Sequence, residues 1–416
     1  MNLLLLRDVV AMLLAGGAGE RLYPLTRHRT KPAVSFGGAY RIVDFTLSNC
    51  INSGLRKIFI VTQYKAQSLN RHVRMGWNIV NHELGEFIEV LPPQKRVGEN
   101  WYLGTADAVY QNLYSLEHEQ PRWVIILSGD HIYKMDYGKM LDVHIARGAS
   151  LTVGAIEVPI GESRRFGVLD VNEERRITSF REKPDSAPSV PWNPGFCLGS
   201  MGIYIFDTEV LVRELRRDAE DDASSHDFGK DIIPNLIARG ERVYAYLFWD
   251  ENKKESKYWR DVGTLDAYYE SSMDLVQVDP VFNLYDPEWP LRTYMPQFPP
   301  AKFVFSHEGR RGHALDSIVS MGSIVSGSEI LRSILSPGVR VHSYCDIQDS
   351  ILMSGVVVNR YSRVRKAILD RNVVLPRGSV VGYDPAEDRR RHTVTESGVV
   401  VVSEGEECFV EASVPR

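Results

Sequence analysis

Cysteine is scarce in this chain of 416 residues: Cys50, Cys197, Cys345 and Cys408 stand far apart and form no CxxC pair. That spacing excludes a disulfide framework and offers no zinc-ligand pattern, so a reducing, cytoplasmic setting is expected. Long apolar runs are missing too, and none approaches the roughly 20 residues of a membrane span. The apolar start Met1–Leu6 is cut short by Arg7 and Asp8 with no basic segment before it, so no secretory leader is expected. Nor is there an excess of positive charge. With 49 Lys+Arg against 54 Asp+Glu the formal charge is −5, which removes any general attraction to nucleic acid or anionic membrane. A bound anion must therefore be met by local cations.

The remaining composition, 44% hydrophobic and 25% charged, is that of a folded globular protein. One core stops growing at roughly 250 to 300 residues, so about two domains are expected. Up to about residue 275, short β-rich runs alternate with helical patterns. Val9–Leu14, Lys57–Thr62 and Trp123–Leu127 are continuous apolar runs suited to strands covered on both faces. Ala106, Val109, Leu113 and Leu116 recur at helical spacing between the last two, giving one apolar stripe. The pattern predicts a doubly wound, mostly parallel α/β domain over 1–280. Prolines 280, 287, 290, 296, 299 and 300 preclude long regular elements and place an interdomain connection over 281–305.

Beyond the prolines the period changes. Aliphatic residues recur six apart, as in Ile318, Ile324 and Ile330, then Val341 and Ile347, Val358 and Val364, Val374 and Val380. Six is neither a helical nor an alternating period; it fits the hexapeptide repeat of a parallel β-helix over 306–416, with an antiparallel sandwich as the alternative.

Chemistry concentrates in Ala15–Pro32, AGGAGERLYPLTRHRTKP. A buried strand opening into Gly16, Gly17 and Gly19 exposes backbone N–H groups to an anion or a base edge, and Arg21 and Lys31 add two cations. The GxxxxGK[ST] spacing is absent, and Leu22 occupies the last glycine position of a dinucleotide fingerprint, which weakens both commoner readings. A glycine turn with solvated basic residues is the structural alternative. Asp130 follows the Trp123–Leu127 strand, where it could point into a ligand crevice or cap a helix.

The segment Gly16–Pro32 resembles the signature of sugar-phosphate nucleotidyltransferases. FGGAYRIVDFTLSNCINSG (36–54), GENWYLGTADAVYQN (98–112), SGDHIYKMDY (128–137), SMGIYIF (200–206), SSHDFGKDIIP (224–234) and YWRDVGT (258–264) resemble the bacterial ADP-glucose pyrophosphorylase family. The resemblance implies a Rossmann-like nucleotidyltransferase domain followed by a left-handed β-helix, and transfer of the adenylyl group of ATP to α-D-glucose 1-phosphate, giving ADP-glucose for glycogen synthesis. It assigns Arg21, Lys31 and Asp130 to catalysis, and Asp130 with Asp261 to Mg²⁺. Leu14, Ala15, Gly16, Gly17, Gln63, Tyr102, Gly104 and Asp130 fall on the nucleotide side. Gly167, Glu182, Lys183, Ser200, Tyr204, Asp227, Phe228 and Trp259 fall on the glucose 1-phosphate side. Trp259 taken alone would more often be core, and Glu182–Lys183 a surface ion pair.

The resemblance further implies a homotetramer and an effector pocket for sugar phosphates or adenine nucleotides, where Arg29 and Arg41 match and His28 stands beside them; Arg360 and Arg363 of the coil, basic residues outside that match, are candidates to complete an anion site. Here the chain departs from the family pattern: His28 replaces a usual Lys or Arg, and Ser35 a histidine of some relatives. A second departure is Leu103, where relatives often carry a charge. Arg360, Arg363 and Arg365 could equally be a solvated basic edge. Sibling enzymes making UDP-, dTDP- or GDP-sugars, or a non-catalytic regulatory paralogue, are the alternative functions. An acyltransferase on the β-helix would need a longer coil and an active-site histidine, for which His342 has no support.

Overall fold

The computed structural model describes residues 5–17, 19–93, 101–252, 257–307 and 309–410. Most of the apolar start Met1–Leu6 and the Gly98–Asn100 end of one motif therefore lie outside the described residues. Packing divides the chain into two compact units, each discontinuous in sequence. The first is Met1–Gly17, Thr46–Gly129 and Lys134–Lys253; the second is Ala18–Phe45, Asp130–Tyr133 and Lys254–Arg416.

The first unit is built on nine strands: β1 Val9–Leu14, β2 Lys57–Val61, β3 Phe87–Leu91, β4 Trp123–Ser128, β5 Leu151–Pro159, β6 Gly167–Val171, β7 Ile177–Glu182, β8 Phe196–Asp207 and β9 Val243–Leu247. Their order is β7-β6-β8-β4-β1-β2-β3, with β5 pairing β8 and β9. The run β4-β1-β2-β3 is parallel, as the continuous apolar segments predict. Val9 to Leu13 and Val124 to Leu127 are almost wholly inaccessible, so helices must cover both faces. The long β8 then runs antiparallel to β4, β5 and β6, extending the sheet away from its parallel half.

The stripe Ala106, Val109, Leu113 and Leu116 is buried as predicted. It is carried by two short helices, Thr105–Tyr110 and Leu113–Glu119, instead of one. Asn112 explains the break: its side-chain amide donates to the Ala108 carbonyl at 2.8 Å and to the Tyr102 hydroxyl at 3.0 Å, competing with continued helical bonding.

In the second unit, residues 302–402 wind into a three-faced parallel coil. Ile318, Ile324 and Ile330 lie on three successive faces, so the six-residue period is the step from one face to the next. Ile330, Ile347, Val364 and Val381 stack in register on one face, and Val341, Val358 and Leu375 align on another. All of these side chains are inaccessible. Each corner passes through a left-handed residue: Asp316, Arg332, Asp349 and Lys366 at one; Gly327, Tyr344, Tyr361 and Gly378 at another; Gly322, Gly338, Gly355 and Asn372 at the third. Buried serines bridge coils; the Ser333 hydroxyl accepts from the Ser350 amide at 3.1 Å, and the Ser350 hydroxyl from the Ala367 amide at 3.3 Å. Near the end of the coil, Thr393–Val394 pairs antiparallel with Val400–Val402, after the helix Pro385–Arg391.

The third coil face, with Ile334, Ile351, Ile368 and Val401, shares a core with Phe36, Phe45, Tyr258, Tyr268 and Phe282. The Tyr268 hydroxyl donates to the Ser35 carbonyl at 2.6 Å. Residues 18–45 thus pack in the unit that contains the coil, although chain order sets them far from it. No helix or strand occurs from Leu275 to Ala301, the proline-rich stretch. The four cysteines are buried free thiols, and no helix among the described residues is long and apolar enough to cross a membrane.

Candidate active site

The first unit gathers the residues assigned to nucleotide and sugar. Leu14 ends β1, and Ala15–Gly17 follow it; a Cβ at Gly16 would stand 3.0 Å from Gln63 Cβ and 3.3 Å from Gln63 N, so the loop lies against the segment after β2. Only glycine permits that approach without displacement. Tyr102 is half-buried, and burial raises its phenol pKa despite the Asn112 hydrogen bond.

Seven sugar-side residues converge. Glu182 ends β7 opposite Gly167 of β6, where any Cβ would strike Phe180 at 2.4 Å and Glu182 Oε2 at 2.9 Å. A Cβ on Gly229 would lie 3.3 Å from both Asp227 Oδ1 and Glu182 Oε2, which makes the two carboxylates neighbours. The Phe228 ring stands 5.6 Å from Tyr204. Burial raises the Tyr204 pKa, and the Asp227 and Glu182 carboxylates add to it against a Ser200 hydrogen bond, so its hydroxyl remains a donor at neutral pH. Lys183 holds left-handed backbone, donates its N–H to the Phe166 carbonyl at 2.9 Å, and places Nζ 3.5 Å from Glu182 in solvent. An exposed pair of that length contributes little to stability, leaving the ammonium available to an anion.

The second unit holds the charged set. Lys31 is buried, and its Nζ donates to Asp130 Oδ2 and Asp261 Oδ1, each at 2.8 Å. Burial alone would lower the ammonium pKa; the two carboxylates outweigh it and hold the pKa above the usual lysine value. A Cβ on Gly263 would lie 2.9 Å from Asp261 Oδ1 and 3.1 Å from Arg21 Nη2, which brings Arg21 beside the same carboxylate. Asp261 and Asp130 sit on and beside a short antiparallel ribbon, Trp259–Asp261 with His131–Tyr133. Asp130, His131 and Asp261 can each offer a ligand atom, all within 4.8 Å of one another. Two carboxylates already converging on one cation suit a divalent ion with hard oxygen ligands. Trp259, assigned to the sugar, packs 4.7 Å from the His131 ring in this unit.

Of the effector residues, Arg29 is buried and pairs with Asp370, and Arg41 is half-buried. Burial, opposed by Asp44 and assisted by Arg29, pushes the Arg41 pKa down to about 10. Arg371 completes this group: burial, then Arg41 and Arg29, push it down to about 9, and its Nη2 donates to Ser35 Oγ at 3.0 Å. His28 is exposed. Arg360 lies elsewhere, where burial, Arg340 and Arg360 together lower the His342 pKa. Arg363 and Arg365 both stand 5.1 Å from the Tyr383 ring. The charges that weigh most on Arg41 and Arg371 are Asp44, Arg29, Asp370 and, on Arg371, Arg41 itself, with Arg360 and Arg363 not among them.

The sequence profile of the nucleotidyl transferase family matches residues 10–278, and that of the GlmU-like C-terminal hexapeptide matches 299–402. A glucose-1-phosphate adenylyltransferase of Koribacter versatilis is 58% identical over 399 residues, 95% of either chain. Proteins of the same name from Rhodopirellula baltica and Nitrosospira multiformis are 54% and 51% identical, covering 97% and 95% of this chain and 91% and 94% of theirs. The chain belongs to the glucose-1-phosphate adenylyltransferase family. It is a nucleotidyltransferase whose hexapeptide coil is the left-handed β-helix of its class.

The motifs gave no role to Arg371 or His131 in this family member. Arg371 follows the buried strand Ala367–Leu369 at a coil corner, a position the repeat could have marked. His131 is adjacent to Asp130, and its imidazole Nε2 lies 3.4 Å from that carboxylate.

Proposed function

We propose that the protein joins ATP and α-D-glucose 1-phosphate to make ADP-glucose and pyrophosphate, for glycogen or a similar α-glucan. The observation that carries this reading is 58% identity along nearly the whole chain to a protein named for that reaction. A phosphate oxygen of the sugar attacks the α-phosphorus of ATP, a bond forms between them, and the bond from the α-phosphorus to the bridging oxygen breaks as pyrophosphate leaves. No proton need be removed from the attacking oxygen. The catalyst must instead offset repulsion between two polyanions and receive the charge that grows on the leaving group.

The glycine loop and Gln63 bind the adenylyl part, Gln63 offering both a donor and an acceptor to the base. Lys183 binds the sugar's phosphate, Glu182 and Asp227 accept from its hydroxyls, and Tyr204 with Phe228 supply a wall for the ring. Arg21, with its planar fork, and Lys31, with its compact charge, neutralise the pyrophosphate. Asp130 and Asp261 would hold Mg²⁺, which when bound supplies Lewis-acid polarisation of phosphate oxygens. Lys31 at the same two carboxylates keeps them oriented and partly neutralised.

In this reading 1–280 carry the chemistry, 281–305 connect, and 306–416 serve assembly as a homotetramer; regulation by sugar phosphates or adenine nucleotides draws on both, at Arg29 and Arg41 of the first segment and Arg371 of the last. The location is cytoplasmic, in keeping with four free thiols. Pyrophosphate release measured with glucose 1-phosphate and Mg²⁺ should be greatest with ATP among ATP, UTP, GTP, CTP and dTTP. Preference for UTP, dTTP or GTP would assign the protein to a sibling activity, and no release with any of them to a non-catalytic paralogue.

A further inference from the structure

Thr105 sits where two stretches of the first unit meet. Its Oγ1 donates to Asp227 Oδ2 at 2.9 Å and accepts the Phe228 N–H at 3.1 Å. The other oxygen of Asp227 accepts the Gly229 and Lys230 amides at 2.9 and 3.2 Å, closing the turn that carries Phe228. Thr105 therefore fixes the orientation of a carboxylate whose second oxygen is already committed to the backbone.

The main chain repeats the link. The helix beginning at Thr105 has no side-chain cap; the His226 carbonyl accepts the Ala106 N–H at 2.8 Å instead. His226 holds left-handed backbone at φ 54°, a conformation uncommon for a residue with a Cβ. Asp218 accepts its Nδ1 at 2.8 Å and Ser224 Oγ accepts its N–H at 2.9 Å, which over-determines that strained backbone. A Cβ on Gly104 would stand 2.2 Å from the His226 carbonyl oxygen and 2.6 Å from that of Ser225. Displacement of 104–106 must therefore carry 226–228 with it.

We propose that Thr105 is a positioning residue through which a nucleotide at Tyr102–Gly104 readies Asp227 and Phe228 for the sugar. The inference rests on the assignment of those residues to nucleotide and sugar under the proposed function. A hydroxyl bonded to both partners makes the occupied form of one stretch the ordered form of the other, and binding linkage then requires the sugar to tighten the nucleotide by the same factor.

The test is calorimetric titration of glucose 1-phosphate into the full chain with Mg²⁺, with and without α,β-methylene-ATP, whose bridging carbon blocks transfer. The wild type should bind the sugar phosphate on the order of tenfold more tightly when the analogue is present, within the usual range for such coupling. Thr105→Val, which keeps the shape and loses the hydroxyl, should bring the ratio to about one with the analogue's own affinity little changed, and Thr105→Ser should restore it. A wild-type ratio of one, or an unchanged ratio in Thr105→Val, overturns the proposal. If the valine variant does not fold, hydrogen exchange on the wild type decides: the analogue alone should slow the Gly229 and Lys230 amides, and unaltered exchange refutes the coupling. Asp227→Ala tests the underlying assignment separately, since normal sugar-phosphate affinity in that variant would overturn the pocket itself and the coupling with it.

Discussion

The open sheet and the coil are both built largely from parallel strands, yet they distribute information differently. In the sheet, β1, β2 and β4 end in unlike segments: a glycine loop, Gln63, and Ser128–Gly129 leading to Asp130. No position there can substitute for another. In the coil, Ile330, Ile347, Val364 and Val381 fill equivalent places, each with neighbours of its own kind above and below. Strand ends of the sheet therefore carry chemistry at little cost to stability, whereas coil positions carry stability with no chemistry.

The sharpest way to break this contrast is Asp130→Ala. It should lower kcat by on the order of 10³, equivalent to about 4 kcal/mol of lost stabilisation, with the circular dichroism spectrum of a folded protein retained. Turnover within a few-fold of wild type would remove Asp130 from the mechanism. Ile347→Ala should do the reverse, costing about 3 kcal/mol in denaturant unfolding while leaving kcat intact. An unchanged midpoint would mean that the coil does not depend on its stacked aliphatics.

Lys183→Ala sharpens the comparison inside the sheet unit. It should raise the KM for glucose 1-phosphate by on the order of tenfold and change kcat less, because its phosphate contact exists in ground and transition states alike. A normal KM would return Lys183 to the role of a solvent-exposed partner of Glu182. The smallest effects belong to the arginine group. Burial and mutual repulsion disfavour the charged forms of Arg41 and Arg371, so sulfate or fructose 1,6-bisphosphate should raise the melting temperature by a few degrees in wild type and less in Arg371→Gln. His28→Lys should increase the response to the bisphosphate about two- to threefold; indifference to either change would detach this group from regulation.

How much of this was legible in the sequence follows from the same contrast. Continuous apolar runs exposed β1, β2 and β4 because burial on both faces leaves a one-dimensional signature. The six-residue period exposed the coil for the same reason, down to Ile318, Ile324 and Ile330 marking three faces in turn. The antiparallel pairings of β8 left no such signature, since strand direction is set by contacts distant along the chain. Asn112 splitting the predicted helix was invisible because its amide competes for a carbonyl only once Tyr102 is in place.

The site divided along similar lines. Arg21, Lys31, Asp130 and Asp261 were named from motifs, and the chain does bring them together. Basic residues in a coil suggest an anion site at Arg360 and Arg363, but stacking sets Arg363 over the Tyr383 ring and brings Arg360 to act on His342. Arg371 went unnoticed although it lies in the same coil, because its significance comes from Arg29, Arg41 and Ser35, all distant in the chain.

The reversal of Thr393–Val394 against Val400–Val402 bears on how such a column can end. A stack of parallel strands offers at its last rung the same row of donors and acceptors that received the rung before, an invitation to any similar strand from another molecule. Turning the chain back on that rung satisfies the row from within and leaves an edge of opposite polarity. On that face, end-to-end growth into fibres is checked by the direction of two residues.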